Sequence, residues 1–195
     1  GRTEVIKNNL NPAWVTTFDA TYTFGKETKF NVGIFDEVRK TGKNKSMGSA
    51  LFEMGDVMGS RGNIKGKKLK GGGTVYVRVA KASAVDFGTL HLQIRGIKLK
   101  NVDGIFGKSD PFFVVQSQSN DAGGRVWQPV YRSDPVQNDL NPMWKEFSIP
   151  MEKLCEGDKN RGLQLEVWDW EKSGKHQAMG KVQTNVNGSI RNVVM

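Results

Sequence analysis

The sequence predicts an all-β chain of many short strands, built as two copies of one domain in tandem. Three observations predict it. Apolar residues come in short runs with period-two alternation, and helical periodicity is poor. Glycine is abundant at 23 residues and proline falls in turn-like strings, which suits many short strands. The third is a repeated string, "KNNLNPAW" at Lys7–Trp14 and "QNDLNPMW" at Gln137–Trp144.

The repeat extends beyond that string. "RTEVIKNNLNPAW" from Arg2 overlays "RSDPVQNDLNPMW" from Arg132 at an offset of 130 positions. "FNVGIFDEVRKTGKNKSMG" from Phe30 overlays "LQLEVWDWEKSGKHQAMG" from Leu163, with "FD" on "WD" and both closing on Met-Gly. Blocks in one order at nearly one spacing mark a repeated domain, because such a period is too long for a solenoid unit. Residues 1–83 read as the first domain and residues 88–195 as the second.

Each element follows in order. In both LNP turns the Asn before Pro is pushed toward extended backbone and caps its own turn. The following Trp14 or Trp144 then lands on the next strand, where its large face is buried. These turns are scaffold. The basic run "RGNIKGKKLKGGG", Arg61–Gly73, reads equally as a lipid or protein contact or as a mobile Gly-rich loop. "TVYVRVAKA" (Thr74–Ala82), "TLHLQIRGIKL" (Thr89–Leu99) and "GLQLEVWDW" (Gly162–Trp170) alternate as strands.

Charge is uneven along a chain of net charge +9: residues 1–87 hold 15 Lys/Arg against 8 Asp/Glu, and residues 88–195 hold 14 against 12. A basic surface suits phosphates of lipid or nucleic acid, and also serves solubility alone. Aromatics are not interleaved on a basic groove, which argues against nucleic acid as the partner. The lone Cys155 leaves no internal disulfide, which fits a reducing cytosol. No 18-residue apolar run spans a membrane. "GIFGKSD" (Gly104–Asp110) falls two residues short of phosphate-loop spacing and precedes a strand. No Ser or Cys nucleophile stands at a recognisable spacing from His91 or His176, so the chain is expected not to be an enzyme.

The strings "RTEVIKNNLNPAW", "FGKSDPFF", "LCEGDKNRGLQLEVWDW" and "SGKHQAMG" resemble C2 domains, and more closely the tandem C2 pair of the copines. The resemblance covers almost the whole chain. It implies two C2-type antiparallel β-sandwiches of eight strands, the first lacking its first two strands and the second its last. An alternative has Thr89–Gln118 completing the first copy in space. The expected setting is cytoplasmic, at the membrane periphery.

The resemblance also implies a Ca²⁺ site in two loops at one end of each sandwich. Ca²⁺ takes six to eight oxygens, mostly carboxylate, from flexible loops, and lipid phosphate fills the open positions. In the second copy the implied ligands are Asp103, Asp110, Asp169 and Glu171, with Gln177 where a last Asp is expected and Lys172 and Lys175 opposing a cation. In the first copy Asp36 remains, but Val38 and Lys45 occupy the other acidic positions, so calcium is expected in the second domain only. Arg39, Lys40, Lys43 and Lys45 then make that loop a basic contact for acidic lipid, each worth about 1 kcal/mol near an anionic surface. Phe106 at the tip of the Gly104–Asp110 loop, with Ile105 beside it, dips into the bilayer interface, and Lys108, Lys172 and Lys175 sit at headgroup level.

The function so implied is peripheral binding to anionic phospholipid membranes, partly or weakly calcium-dependent. Two alternatives stand beside it. One is a calcium-independent protein-interaction scaffold, and the other is a membrane-targeting module that regulates a larger enzyme.

Overall fold

A computed structural model describes residues 1–38, 44–82, 85–104, 107–121 and 124–189. The chain forms two compact units. One comprises Gly1–Thr17, Ser83–Asn120 and Arg125–Met195, and the other Phe18–Ala82 with Asp121–Gly124. Every sheet is antiparallel or a simple hairpin, and the few helices are single turns, so the chain is all-β.

In the smaller unit β1 (Lys29–Glu37) pairs with β2 (Asn44–Glu53). Phe30, Val32 and Ile34 alternate onto one face and pack on Phe52, which is fully buried. The turn α1 (Met54–Met58) starts where the Glu53 carboxylate accepts the Asp56 N–H at 2.7 Å. The basic run does not stay a loop. Ile64–Lys68 forms β3 and pairs with β4 (Thr74–Arg78), so a mobile segment is the wrong reading of these residues. The sequence does not show this strand because lysine and glycine fill both faces: Lys65 and Lys67 are half-buried, and Gly66 and Lys68 are exposed.

The larger unit contains β5 (Thr89–Leu92), β6 (Pro111–Asp121), β7 (Gly124–Arg132), β8 (Phe147–Pro150), β9 (Leu163–Asp169) and β10 (Gln177–Thr184). Two single-turn helices, α2 (Met151–Cys155) and α3 (Val186–Ser189), follow β8 and β10. Four strands form one sheet in the order β10-β9-β6-β7, and β5 pairs with β8 to form the opposing layer. Alternation predicts a single strand over Thr89–Leu99, and the structure shortens it. The ladder stops at Leu92 and resumes as a bridge from Arg95 to Met143, after which the chain turns through a positive φ at Lys98. Both β5 and β6 pair within the second copy, with β8 and β9, which answers the alternative that they complete the first.

Phe113 is the centre of this core. Its ring meets Trp144 edge-on at 5.0 Å and Phe147 at 5.5 Å, while Tyr131 stacks on Phe147 at 3.9 Å. Burial of each such side chain contributes about 1.5–3 kcal/mol.

The repeated turn is the same object in both copies. Asn8 and Asn138 share a φ of 53°. Asn11 N–H donates to Asn9 Oδ1 at 2.8 Å, and Asn141 N–H donates to Asp139 Oδ1 at 2.8 Å. The two turns are packed to different degrees: Trp144 is 2% exposed and Leu140 half-buried, whereas Trp14 is half-buried and Leu10 is 92% exposed. Among the described residues no helix is long and apolar enough to cross a membrane.

Candidate metal centre and the loops around it

The centre is built at the ends of β6 and β9. Pro111 opens β6 opposite Asp169, and proline has no N–H to offer the ladder. The preceding residue takes over: Asp110 N–H donates to Asp169 Oδ1 at 2.6 Å, and Asp110 C=O accepts Trp170 N–H at 3.0 Å. Asp169 lies on the core-facing side of β9 and is wholly buried. Its second oxygen, Oδ2, is buried with no hydrogen-bond partner. A buried carboxylate oxygen left unpaired is expensive, and such groups take a cation or a proton.

Two further carboxylates converge on it. Asp103, Asp169 and Glu171 each offer an oxygen within 4.8 Å of the others. Two oxygens bound to one Ca²⁺ lie at most about 5 Å apart, twice the bond length, so the donor set fits that ion in spacing and chemistry. Partial loss of hydration, then the charge of Asp169 and a shared hydrogen bond with it, then the charges of Glu171 and Asp110, push the Asp103 carboxyl above the ordinary aspartate range. Asp110 is not brought into the group. Its Oδ1 accepts the Asn138 N–H at 2.7 Å, which ties the LNP turn to the cup.

Glu171 is held from two sides. Its N–H donates to His176 Nδ1 at 3.0 Å, and its Oε1 accepts from Gln177 Nε2 at 3.2 Å. Gln177, opposite Asp169 in the β9–β10 register, therefore orients a carboxylate instead of supplying one. His176 stands edge-on to Phe112 at 5.1 Å, and the Arg132 guanidinium lies 4.1 Å over the Phe112 ring. Burial, then the charge of Arg132, holds the His176 pKa below its ordinary value, so the ring is neutral near pH 7. Its Nδ1 accepts from Glu171, which leaves the ring proton on Nε2, 3.4 Å from the Arg132 guanidinium.

The lysines Lys108, Lys172 and Lys175 are exposed around this loop group, as a headgroup contact requires. Ile105, Phe106, Arg39, Lys40 and Lys43 lie outside the described residues. Lys45 is described and exposed, on β2 directly opposite Asp36. Among the described residues no group of three metal-binding side chains gathers around Asp36. In the basic run, Lys65 turns back to Asp56 at 3.1 Å and Lys67 lies 5.4 Å over the Phe52 ring, while Lys68 and Lys70 stay exposed.

Sequence spacing missed three features. Asn101 and Ser109 lie next to the ligands but carry no charge to draw attention. His176 reads in sequence as a loop histidine, although its place between Glu171 and Gln177 is the available signal. His91 does pair with a serine: its Nδ1 lies 2.7 Å from Ser148 Oγ on neighbouring strands. Spacing in sequence could not show this, because the two meet only through the β5–β8 register.

Fold and site together define a β-sandwich module that carries its chemistry in end loops around an acidic cup. The C2 domain family model matches residues 1–69 and 88–193, and the chain belongs to the C2 domain family. Among solved structures, one titled BON1-C2B is 31% identical over 56% of this chain and 74% of that one, with a TM-score of 0.46. A C2 domain of plant extended synaptotagmin 1 is 24% identical over 53% and 72%, with a TM-score of 0.40. Human GIVD cytosolic phospholipase A2 is 17% identical over 50% of this chain and 13% of that one, with a TM-score of 0.34.

Proposed function

We propose that this chain is a copine-like, non-enzymatic tandem C2 module that binds anionic phospholipid membranes from the cytoplasmic side. The second copy supplies a Ca²⁺ cup and the first supplies a basic, calcium-independent contact. One observation carries the calcium half of this reading: the buried, unpartnered Oδ2 of Asp169 in a group with Asp103 and Glu171. These three residues would hold the ion. Bound Ca²⁺ supplies positive charge and open coordination positions that phosphate oxygens fill. The chain's own residues do the rest. Asp110 N–H anchors Asp169, His176 and Gln177 orient Glu171, and Lys108, Lys172 and Lys175 offer charge beside the cup.

The test is co-sedimentation with phosphatidylserine vesicles at two salt concentrations, with Ca²⁺ or with chelator. Binding that needs Ca²⁺ and is lost on Asp169→Asn supports the cup. Binding in chelator that falls with salt supports the basic contact. No binding under any condition removes the membrane reading and favours a protein-interaction scaffold, for which the lysines beside the eroded cups are the supporting observation.

A further inference from the structure

We infer that Asn101 is a positioning residue for the calcium cup, holding Asp103 against Asp169 and Glu171 before any cation arrives. This inference rests on the calcium reading above. The three ligands differ in how they are fixed. Asp169 is anchored on β9 by the Asp110 N–H, and Glu171 is tied to His176 and Gln177. Asp103 is exposed on the segment between β5 and β6, with no strand of its own to fix it.

The Asn101 amide is placed to do so. Its Nδ2 donates to Gly104 C=O at 2.7 Å and to Gly107 C=O at 2.8 Å. Its Oδ1 accepts from Ser109 N–H and from Ser109 Oγ, both at 3.1 Å. That uses the full capacity of a primary amide, two donors and two acceptor positions. Ser109 Oγ in turn accepts the Val102 N–H at 3.0 Å, and Ser109 is wholly buried. The network closes on both sides of Asp103, at Val102 and at Gly104. Gly104 adopts a φ of 75°, the conformation that turns its carbonyl toward Asn101. Gly107 lies against Asp103, since a Cβ placed on it would stand 3.6 Å from the Asp103 Cβ. With the backbone on both sides of Asp103 fixed in advance, ion binding need not order that ligand, and affinity gains by that amount.

The experiment is a calorimetric Ca²⁺ titration of the full chain as wild type, Asn101→Ala, Asn101→Asp and Ile149→Val, with melting temperatures in chelator. Ile149→Val opens a small core cavity away from the cup and serves as the control for general loosening. Asn101→Ala is expected to weaken Ca²⁺ binding about 10- to 100-fold with every ligand intact, as loss of a ligand-orienting partner does. Ile149→Val is expected to lower the melting temperature and leave Ca²⁺ affinity unchanged. Asn101→Asp keeps the shape but turns both donors into acceptors facing carbonyls, and stands in if the alanine variant does not fold. Wild-type affinity in either variant, or a loss no larger than that of Ile149→Val, overturns the inference while leaving the calcium reading intact. Absence of Ca²⁺ binding by the wild type overturns both, and is told apart because it appears before any substitution.

Discussion

Lys45 lies directly across the β1–β2 ladder from Asp36. The same register in the second copy sets Gln177 opposite Asp169. Both ladders slip at the same place, where Met47 and Met179 fall out of the pairing just before glycine. The repeated Met-Gly is therefore a bulge that fixes which residue faces the last aspartate of the strand. One copy puts an amide there and the other a cation.

A lysine opposite Asp36 leaves this copy with fixed positive charge at the loop base. Lys45→Gln is expected to weaken binding to phosphatidylserine vesicles in chelator by about fivefold at low salt, the equivalent of about 1 kcal/mol. The difference should shrink as salt rises. Vesicle co-sedimentation in chelator checks it, and an unchanged affinity would assign the loop a solvated role only.

Asp169→Asn separates the anchor from the charge. The asparagine oxygen keeps the Asp110 N–H, while its NH₂ replaces the orphan Oδ2 and points a donor at the cation position. Ca²⁺ binding is expected to be lost. Stability in chelator should hold or rise, because a buried unpaired carboxylate oxygen is gone. Calorimetry with and without Ca²⁺ checks both, and a large drop in melting temperature in chelator would contradict the account of Oδ2.

The strands that alternate cleanly, such as "GLQLEVWDW", are legible in the sequence because apolar residues take one face, on the core, and Gln164, Glu166 and Trp168 the other, where they bond to one another. The β3 strand is not, since lysine and glycine on both of its faces imitate a loop. In the site, the carboxylates can be found from the resemblance and the repeat. That Asp110 spends its side chain on Asn138, and that Asn101 closes on Ser109, cannot. Those bonds join residues 28 and 8 positions apart and depend on how the loops fold back. Neutral polar residues carry no pattern that announces such geometry.

The raised Asp103 pKa gives a pH dependence with a definite sign. Its folded value lies above the ordinary 3.8, so the native state binds the proton more readily than the unfolded chain. Between those two values, stability in chelator falls as pH rises. Ca²⁺ affinity runs the other way and weakens on acidification, since the ion needs the ionised carboxylate. Titrations at a series of pH values from about 7 downward test this. Asp103→Asn should flatten the stability change, and a slope that survives the substitution would place its origin elsewhere.

The two LNP turns offer a comparison within one chain. Their local geometry is the same, so local geometry cannot account for a difference in what they stabilise. Trp144 is buried against Phe113, and its Nε1–H donates to Pro111 C=O at 3.2 Å. Trp144→Ala is expected to cost about 3–5 kcal/mol, from the cavity and the lost contacts together. It also leaves the Pro111 carbonyl without its donor at the opening of β6, so Ca²⁺ affinity should fall with stability. Leu10→Ala, on a side chain almost wholly in solvent, is expected to change stability by no more than about 0.5 kcal/mol. Urea unfolding of the two variants measures the contrast. Equal losses would overturn the contrast in packing between the two turns.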